Sequence, residues 1–132
     1  MKFMLQAGAI LGALAVGIGA FGAHALKASL EASGRADTFE TAVKYQFYHA
    51  LALVLVGLLL GRVEAGDPAL GVVKWLNWSG YAFAAGVLIF SGSLYTICFT
   101  GITKFGAVAP IGGLLMLAGW VLLFLAAGKL EG

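Results

Sequence analysis

The run YQFYHALALVLVGLLLG, residues 45–61, decides the fold, because a polar beginning leads into a continuous apolar remainder. It contains no Asp, Glu, Lys or Arg. Three other runs without these residue types cover residues 3–26, 75–103 and 105–128. An α-helix needs about 20 apolar residues to cross the hydrocarbon core of a bilayer, and about 17 still suffice. Each of the four runs is therefore long enough to form a transmembrane helix.

The composition supports the same class of protein. Hydrophobic residues make up 61% of the 132-residue chain and charged residues 11%. A soluble domain carries about 25% charged residues. We therefore predict an all-α fold, an integral membrane four-helix bundle with both termini on the same side. The single transmembrane domain, residues 1–132, has predicted helices near residues 4–26, 39–61, 78–99 and 106–127.

Local signals mark the ends of some of these helices. Asp37 and Glu40 are typical of an N-terminal cap, and they place the start of the second helix before the membrane. The sequence Gly66-Asp67-Pro68 predicts the turn between the second and third helices. Ala23-His24-Ala25 fits a signal-peptide cleavage site, but the apolar run before it exceeds the usual core of about 7 to 15 residues. We expect the first helix to be retained.

Charge does not orient the bundle in the membrane. Side A is defined here as the surface with both termini and the loop between the second and third helices, and side B is the opposite surface. The positive-inside rule compares Lys and Arg near the two surfaces. Each side has four, and the sequence leaves the orientation open: Lys2, Arg62, Lys74 and Lys129 on side A, and Lys27, Arg35, Lys44 and Lys104 on side B.

Polar residues concentrate toward side B. Tyr45, Gln46 and His49 are spaced three and four apart, so they share one face of the second helix. Polar groups are costly in lipid, which turns this face toward the other helices. Counting from Lys27 and Lys44 predicts that both histidines lie at a similar depth. We expect a polar pocket at the end of helices one, two and three, lined by His24, Tyr45, Gln46, His49, Ser91, Ser93 and Tyr95. In the alternative interpretation, the same groups bond neighbouring backbones and fix how the helices pack.

Small residues and tryptophans predict how the bundle is held. Small side chains let transmembrane helices approach closely, since lipid gives apolar side chains no reason to associate. This pattern predicts that helix one lies at the centre of the bundle. Indole rings favour the headgroup layer, so Trp75, Trp78 and Trp120 are predicted to anchor side A. The predicted packing positions are Gly8, Gly12, Gly19, Gly112 and Gly113.

Four separated strings resemble one known family. They are GAFGAHAL (19–26), YQFYHALALV (45–54), FSGSLY (90–95) and GAVAPIGGLLMLAGW (106–120). Together they are similar to the domain-of-unknown-function 423 family of small inner-membrane proteins, across all four predicted helices. The resemblance implies a four-helix protein of the bacterial inner (plasma) membrane. It implies no catalytic residue, substrate or cofactor, because the family has no established activity.

Three function hypotheses remain open. The first is a non-enzymatic structural or accessory protein that packs with itself as a homo-oligomer or with a membrane complex. The second is a transporter or channel for a small solute or lipid, although none of the four charge-free runs contains the acidic residue that ion-coupled carriers use. The third is a bis-His haem or metal site formed by His24 and His49. We predict the lipid bilayer as a partner, and no catalytic residues, metal or cofactor. The small, spread-out net charge of +2 gives no reason to expect nucleic acid as a partner.

Overall fold

A computed structural model describes residues 1–66 and 70–130 of the chain. Within these residues the fold is all-α, as predicted, and four helices are long and apolar enough to cross a membrane. A short helix follows the first of them, and a 3₁₀ helix, Thr103–Ala107, precedes the last. The α-helices are α1 (Lys2–Ala23), α2 (Lys27–Ala32), α3 (Ala36–Glu64), α4 (Leu70–Thr100) and α5 (Ala109–Ala127).

The long helices pack in chain order, α1 on α3, α3 on α4 and α4 on α5. Each pair is antiparallel. Gly22 lies against Phe39 and Gly8 against Val54, so the end of α1 meets the beginning of α3. In the same sense, Ser79 of α4 contacts Gly119 of α5. Antiparallel order places the start of α1 and the end of α5 at the same end of the bundle, which is side A.

Several helix ends differ from the predicted ones. The first helix stops at Ala23, because the chain leaves helical geometry at His24, with φ −123° and ψ −81°. The second begins at Ala36, and Asp37 lies in its first turn without capping it. The third begins at Leu70 rather than near residue 78, so it continues beyond the apolar run that defined it. Hydropathy measures the part of a helix that lipid covers, and the helix itself extends further. The turn predicted at Gly66-Asp67-Pro68 lies largely outside the described residues.

The prediction that the first helix is central is wrong. In the most apolar 18-residue window of each span, 44% of residues are buried in α3 and 17% in α1. The main core cluster takes Leu53, Val56 and Leu60 from α3, and Leu76 and Phe83 from α4. The two middle helices therefore form the centre, and α1 and α5 flank them. A stripe of small residues lets α1 approach one neighbour closely, but it does not surround α1 with neighbours.

The predicted packing glycines differ in how closely neighbours approach them. A Cβ added at Gly8 would lie 2.7 Å from the Ala50 carbonyl oxygen, and one at Gly112 would lie 2.7 Å from the Gly86 carbonyl oxygen. Backbone atoms cannot move aside as a side chain can, so these are the close helix crossings. At Gly19 the nearest atom is a Val43 methyl at 3.2 Å. Gly12 and Gly113 have only ordinary van der Waals neighbours, at 3.8 and 3.9 Å.

Candidate functional site

His49 lies near the middle of α3 and is 5% exposed. Its Nδ1 is 2.7 Å from the carbonyl oxygen of Tyr45, one turn earlier. Its Nε2 is 3.1 Å from the indole nitrogen of Trp120 on α5. An indole N–H can only donate and a carbonyl oxygen can only accept. His49 is therefore a neutral imidazole that carries its proton on Nδ1, with both nitrogens hydrogen-bonded inside the protein.

Aromatic rings enclose this histidine. The ring of Phe83 is 5.5 Å from the imidazole and 5.0 Å from the Trp120 ring, and both pairs are tilted or edge-on. Tyr45 stacks on His49 with the ring centres 6.1 Å apart. Such tilted and edge-to-face arrangements are the favoured ones for aromatic pairs. The polar edge of His49 is consequently sealed by apolar ring surface from α3, α4 and α5.

Gln46 forms the second polar connection, one helical turn nearer side B. Its Nε2 donates to the Leu11 carbonyl oxygen on α1 at 2.8 Å, and its Oε1 accepts from the Tyr95 hydroxyl on α4 at 2.7 Å. One buried amide thus joins three helices. Both ends of the amide are used, which fixes its orientation. This arrangement links α1 to the central pair by hydrogen bonds as well as by packing.

Serines of α4 make the remaining interhelical bonds. Ser91 donates to the Ala42 carbonyl oxygen on α3, and Ser79 donates to the Gly119 carbonyl oxygen on α5, each at 2.8 Å. Ser93 instead donates to Ile89 in its own helix. Within the described residues, every buried side-chain nitrogen or oxygen has a hydrogen-bond partner. The interior polarity is therefore fully paired.

The structure brings together some of the seven predicted pocket residues and separates others. Gln46 and Tyr95 bond directly, and Tyr45 and His49 contact each other on one helix. His24 is exposed at the end of α1 and does not share their depth. In the antiparallel register Gly12 lies beside Ala50 and Gly22 beside Phe39, so about eleven residues of rise, roughly 16 Å, separate the layers of the two histidines.

Trp120 differs from its predicted role as a side A anchor. Its indole points to His49, although the residue remains 44% exposed on the outer surface of α5. The sequence contains a pattern that indicates this inward direction of the Trp120 side chain. Gly112, Met116 and Trp120 follow one another at intervals of four, which places the indole on the same face of α5 that packs against α4. The helical face was a better guide here than the general preference of tryptophan for interfaces.

Arg35 was predicted only as one of the side B cations, and the structure gives it a specific contact. It precedes α3, and its guanidinium donates to the carbonyl oxygen of Ile97 in the last turn of α4. The Cys98 thiol lies 3.8 Å from the Arg35 carbonyl oxygen. A cation at a helix C-terminus meets unpaired carbonyls and the negative end of the helix dipole. Arg35 therefore fastens the side B loop to the end of α4.

Three open cavities formed by described residues lie on the outside of the bundle, and none of the seven predicted pocket residues lines them. One of ≈ 400 Å³ lies between the end of α1, α2 and the beginning of α3, and a shallower one of ≈ 240 Å³ continues along α1 and α3. A third, of ≈ 360 Å³, lies between α1 and α4 and includes Gln6. Among the described residues, no group of three His, Cys, Asp or Glu side chains is arranged to hold a metal ion.

Fold and site together define a small polytopic membrane protein whose interior polar groups are bonded to one another. The chain belongs to the family described as "Protein of unknown function (DUF423)", whose sequence pattern matches residues 18–113. This confirms the family resemblance found in the four strings.

Relatives in staphylococci are similar over their whole length. A UPF0382 membrane protein of Staphylococcus haemolyticus is 39% identical over 132 residues, which is 100% of both chains. UPF0382 membrane proteins of Staphylococcus aureus and Staphylococcus epidermidis are each 38% identical, again over 100% of both chains. No solved structure matches the chain. The relatives are named as membrane proteins of bacteria, in agreement with the four apolar helices.

Proposed function

We propose that this protein is a non-enzymatic structural or accessory component of the bacterial inner membrane, which packs with itself or with a membrane complex. The observation that carries the proposal is the pairing of His49 at both nitrogens. A general base or a ligand to a metal needs a free nitrogen, and a transport site needs polar groups that can exchange partners. Here the central ionisable group links α5 to α3 by a hydrogen bond.

The outer faces of the flanking helices are available for such packing. Along α1 the exposed small residues recur at intervals of three and four, and a Cβ added at Gly17 would meet nothing within 4 Å. Small residues at this spacing favour close association of transmembrane helices. On α5 the exposed face is made of large apolar side chains instead, which suit lipid. The exposed small residues of α1 are Ala9, Ala13, Gly17 and Ala20.

Cysteine crosslinking in native membrane vesicles tests the proposal. Ala13→Cys in a Cys98→Ser background places a thiol on the outer face of α1, and Leu58→Cys places one on the 59% exposed lipid-facing side of α3. We expect rapid disulfide-linked dimers from the first and slow, collision-limited ones from the second. Adding Gly17→Leu should abolish the rapid reaction, whereas Gly92→Leu, also at a position with open space, should not.

The crosslinking results also separate self-association from other outcomes. Native mass spectrometry of gently extracted wild-type protein reports subunit number and any retained partner. A monomer without a partner, together with equal crosslinking at both cysteines, would contradict the proposal. A stable complex with another membrane protein, without the dimer, would support its accessory form.

Transport of a small solute or lipid is the second candidate, favoured by the ≈ 400 Å³ cavity at side B. Proteoliposomes that release a trapped solute, or exchange labelled lipid between leaflets, faster than protein-free vesicles would support it. The separation of His24 from His49 along the bundle argues against the haem alternative. A Soret band in purified protein would restore it.

A further inference from the structure

The side B cavity is built as an apolar hollow with a charged rim. It is lined by the end of α1, by α2 and by the first two turns of α3, at the side B end of the bundle. Its volume, ≈ 400 Å³, lies within the range of about 300 to 1,000 Å³ typical of small-molecule sites. Gly19, Gly22, Leu30, Phe39 and Val43 form its apolar lining.

Charges of both signs stand at the rim. Glu40 is paired with Lys44 at 2.8 Å, so this pair adds little net charge. Lys27 and Glu31 line the same cavity from α2 and are both exposed. The rim thus presents one cation and one anion to a ligand. A group that carries both charges is complementary to it, whereas a purely anionic group would meet Glu31 unfavourably.

The groove continues toward the bilayer centre and becomes apolar. The second cavity shares Val43 with the first and adds Ala15, Val16, Lys44, Phe47 and Tyr48, and most of its surface is apolar. These residues continue the same faces of α1 and α3 one to two turns deeper. The Lys44 ammonium is paired with Glu40. From Ala36 to Phe47 the groove follows α3 for about 16 Å. Charge at the membrane boundary and apolar surface below it is the order of polarity within a phospholipid.

We propose that this groove binds one zwitterionic phospholipid with a primary ammonium, of the phosphatidylethanolamine type. The ammonium faces Glu31, the phosphate faces Lys27, and an acyl chain lies along Ala15, Val16 and Phe47. A primary ammonium donates hydrogen bonds to a carboxylate, and such charged hydrogen bonds are the stronger ones. A choline group cannot donate such a hydrogen bond, and proteins commonly recognise it with a cage of aromatic rings. Phe39 is the single aromatic side chain that lines this cavity.

Native mass spectrometry of protein from nanodiscs with equal phosphatidylethanolamine, phosphatidylglycerol and phosphatidylcholine tests the assignment. We expect one phosphatidylethanolamine retained per chain, enriched over both other lipids. Glu31→Gln and Lys27→Gln should each reduce its occupancy about tenfold, the effect of losing one charged contact. Val16→Trp should fill the deeper groove and also reduce retention.

Matched controls distinguish a site from general charge effects. Lys104→Gln removes an exposed cation on the same side, Glu64→Gln an exposed acid on side A, and Val121→Trp adds an indole to a 57% exposed position on α5. None should alter retention. Equal retention of the three lipids, preference for phosphatidylglycerol, or occlusion of the groove by a second copy in crosslinked dimers would overturn the proposal. These outcomes leave the accessory function untouched, because that function is tested through Ala13 and Gly17, which line neither cavity.

Discussion

The indole of Trp120 donates to Nε2 of His49 at 3.1 Å, and this contact joins the last helix of the chain to the middle of the second transmembrane helix. It is also the contact that determines which nitrogen of the imidazole carries the proton. A protonated His49 would have no acceptor to offer the indole, so the bond exists only with the neutral ring.

Trp120→Phe should lower the free energy of unfolding by about 1 kcal/mol, because hydrogen bonds between transmembrane helices contribute about 0.6 and at most about 1.7 kcal/mol. The measurement is equilibrium unfolding in bicelles. In a double-mutant cycle with His49→Phe, we expect a coupling energy of about 0.6 kcal/mol. Trp78→Phe is the control, since Trp78 is 58% exposed on α4. Equal losses at both tryptophans would mean that the bond adds nothing.

Gly112→Ala should destabilise the protein by about 1 to 3 kcal/mol, the usual cost of overpacking. An added methyl would lie 2.7 Å from the Gly86 carbonyl oxygen and against the Phe90 backbone, so α4 and α5 must separate. The neighbouring Gly113→Ala is the matched control, because its nearest atom is an ordinary 3.9 Å away. The measurement is thermal unfolding of both variants in the same detergent, and we expect the larger loss of stability for Gly112→Ala. A smaller loss at Gly112 than at Gly113 would rule out the close crossing.

Tyr95→Phe should cost about 0.6 kcal/mol, since it removes the hydroxyl that Gln46 accepts from. In a Gln46→Met background the same change should cost almost nothing, because the acceptor is already gone. Tyr45→Phe is the control, as Tyr45 is 41% exposed and its hydroxyl makes no hydrogen bond within the described chain. An undiminished loss in the Gln46→Met background would show that Tyr95 acts by another route.

Arg35→Leu should destabilise the side B end of α4 by about 1 kcal/mol or more, since hydrogen bonds to charged groups contribute about 1.5 to 3 kcal/mol. Hydrogen exchange of the last turn of α4 measures this locally. The protected amide to follow is that of Gly101, which donates to Ile97 at 2.9 Å. Lys104→Leu, at an exposed cation on the same side, should leave that exchange unchanged. If both variants accelerate it alike, Arg35 acts only as a general surface charge.

The helices were predictable because charge-free runs of sufficient length leave the chain few alternatives in lipid. The inward direction of Gln46 and His49 followed from the cost of exposing them to lipid, and both are buried. The partners of these residues were not predictable. Periodicity shows which face turns inward, but which helix meets it depends on how all four pack.

The error about α1 has the same origin. The small residues of α1 indicate that it approaches another helix closely, and this helix is α3. They do not indicate how many helices surround α1. Depth was misjudged for a related reason. Lys27 and Lys44 were both taken to mark the membrane boundary, but α3 begins at Ala36 and places His49 near its middle. Counting residues from a charge therefore located both histidines in one layer, and the register of α1 against α3 separates them.

The pairing of each long helix with the next one also orders events during synthesis. Helical hairpins of neighbouring spans can form as soon as both spans have entered the bilayer, and chains assemble from the N-terminus. The Gln46 bonds to α1 and α4 can close while α5 is still being made. The hydrogen bond from the Trp120 indole to Nε2 of His49 can form only after residue 120 has been synthesised. An intact His49–Trp120 contact therefore marks a chain that has been made and inserted at least as far as α5.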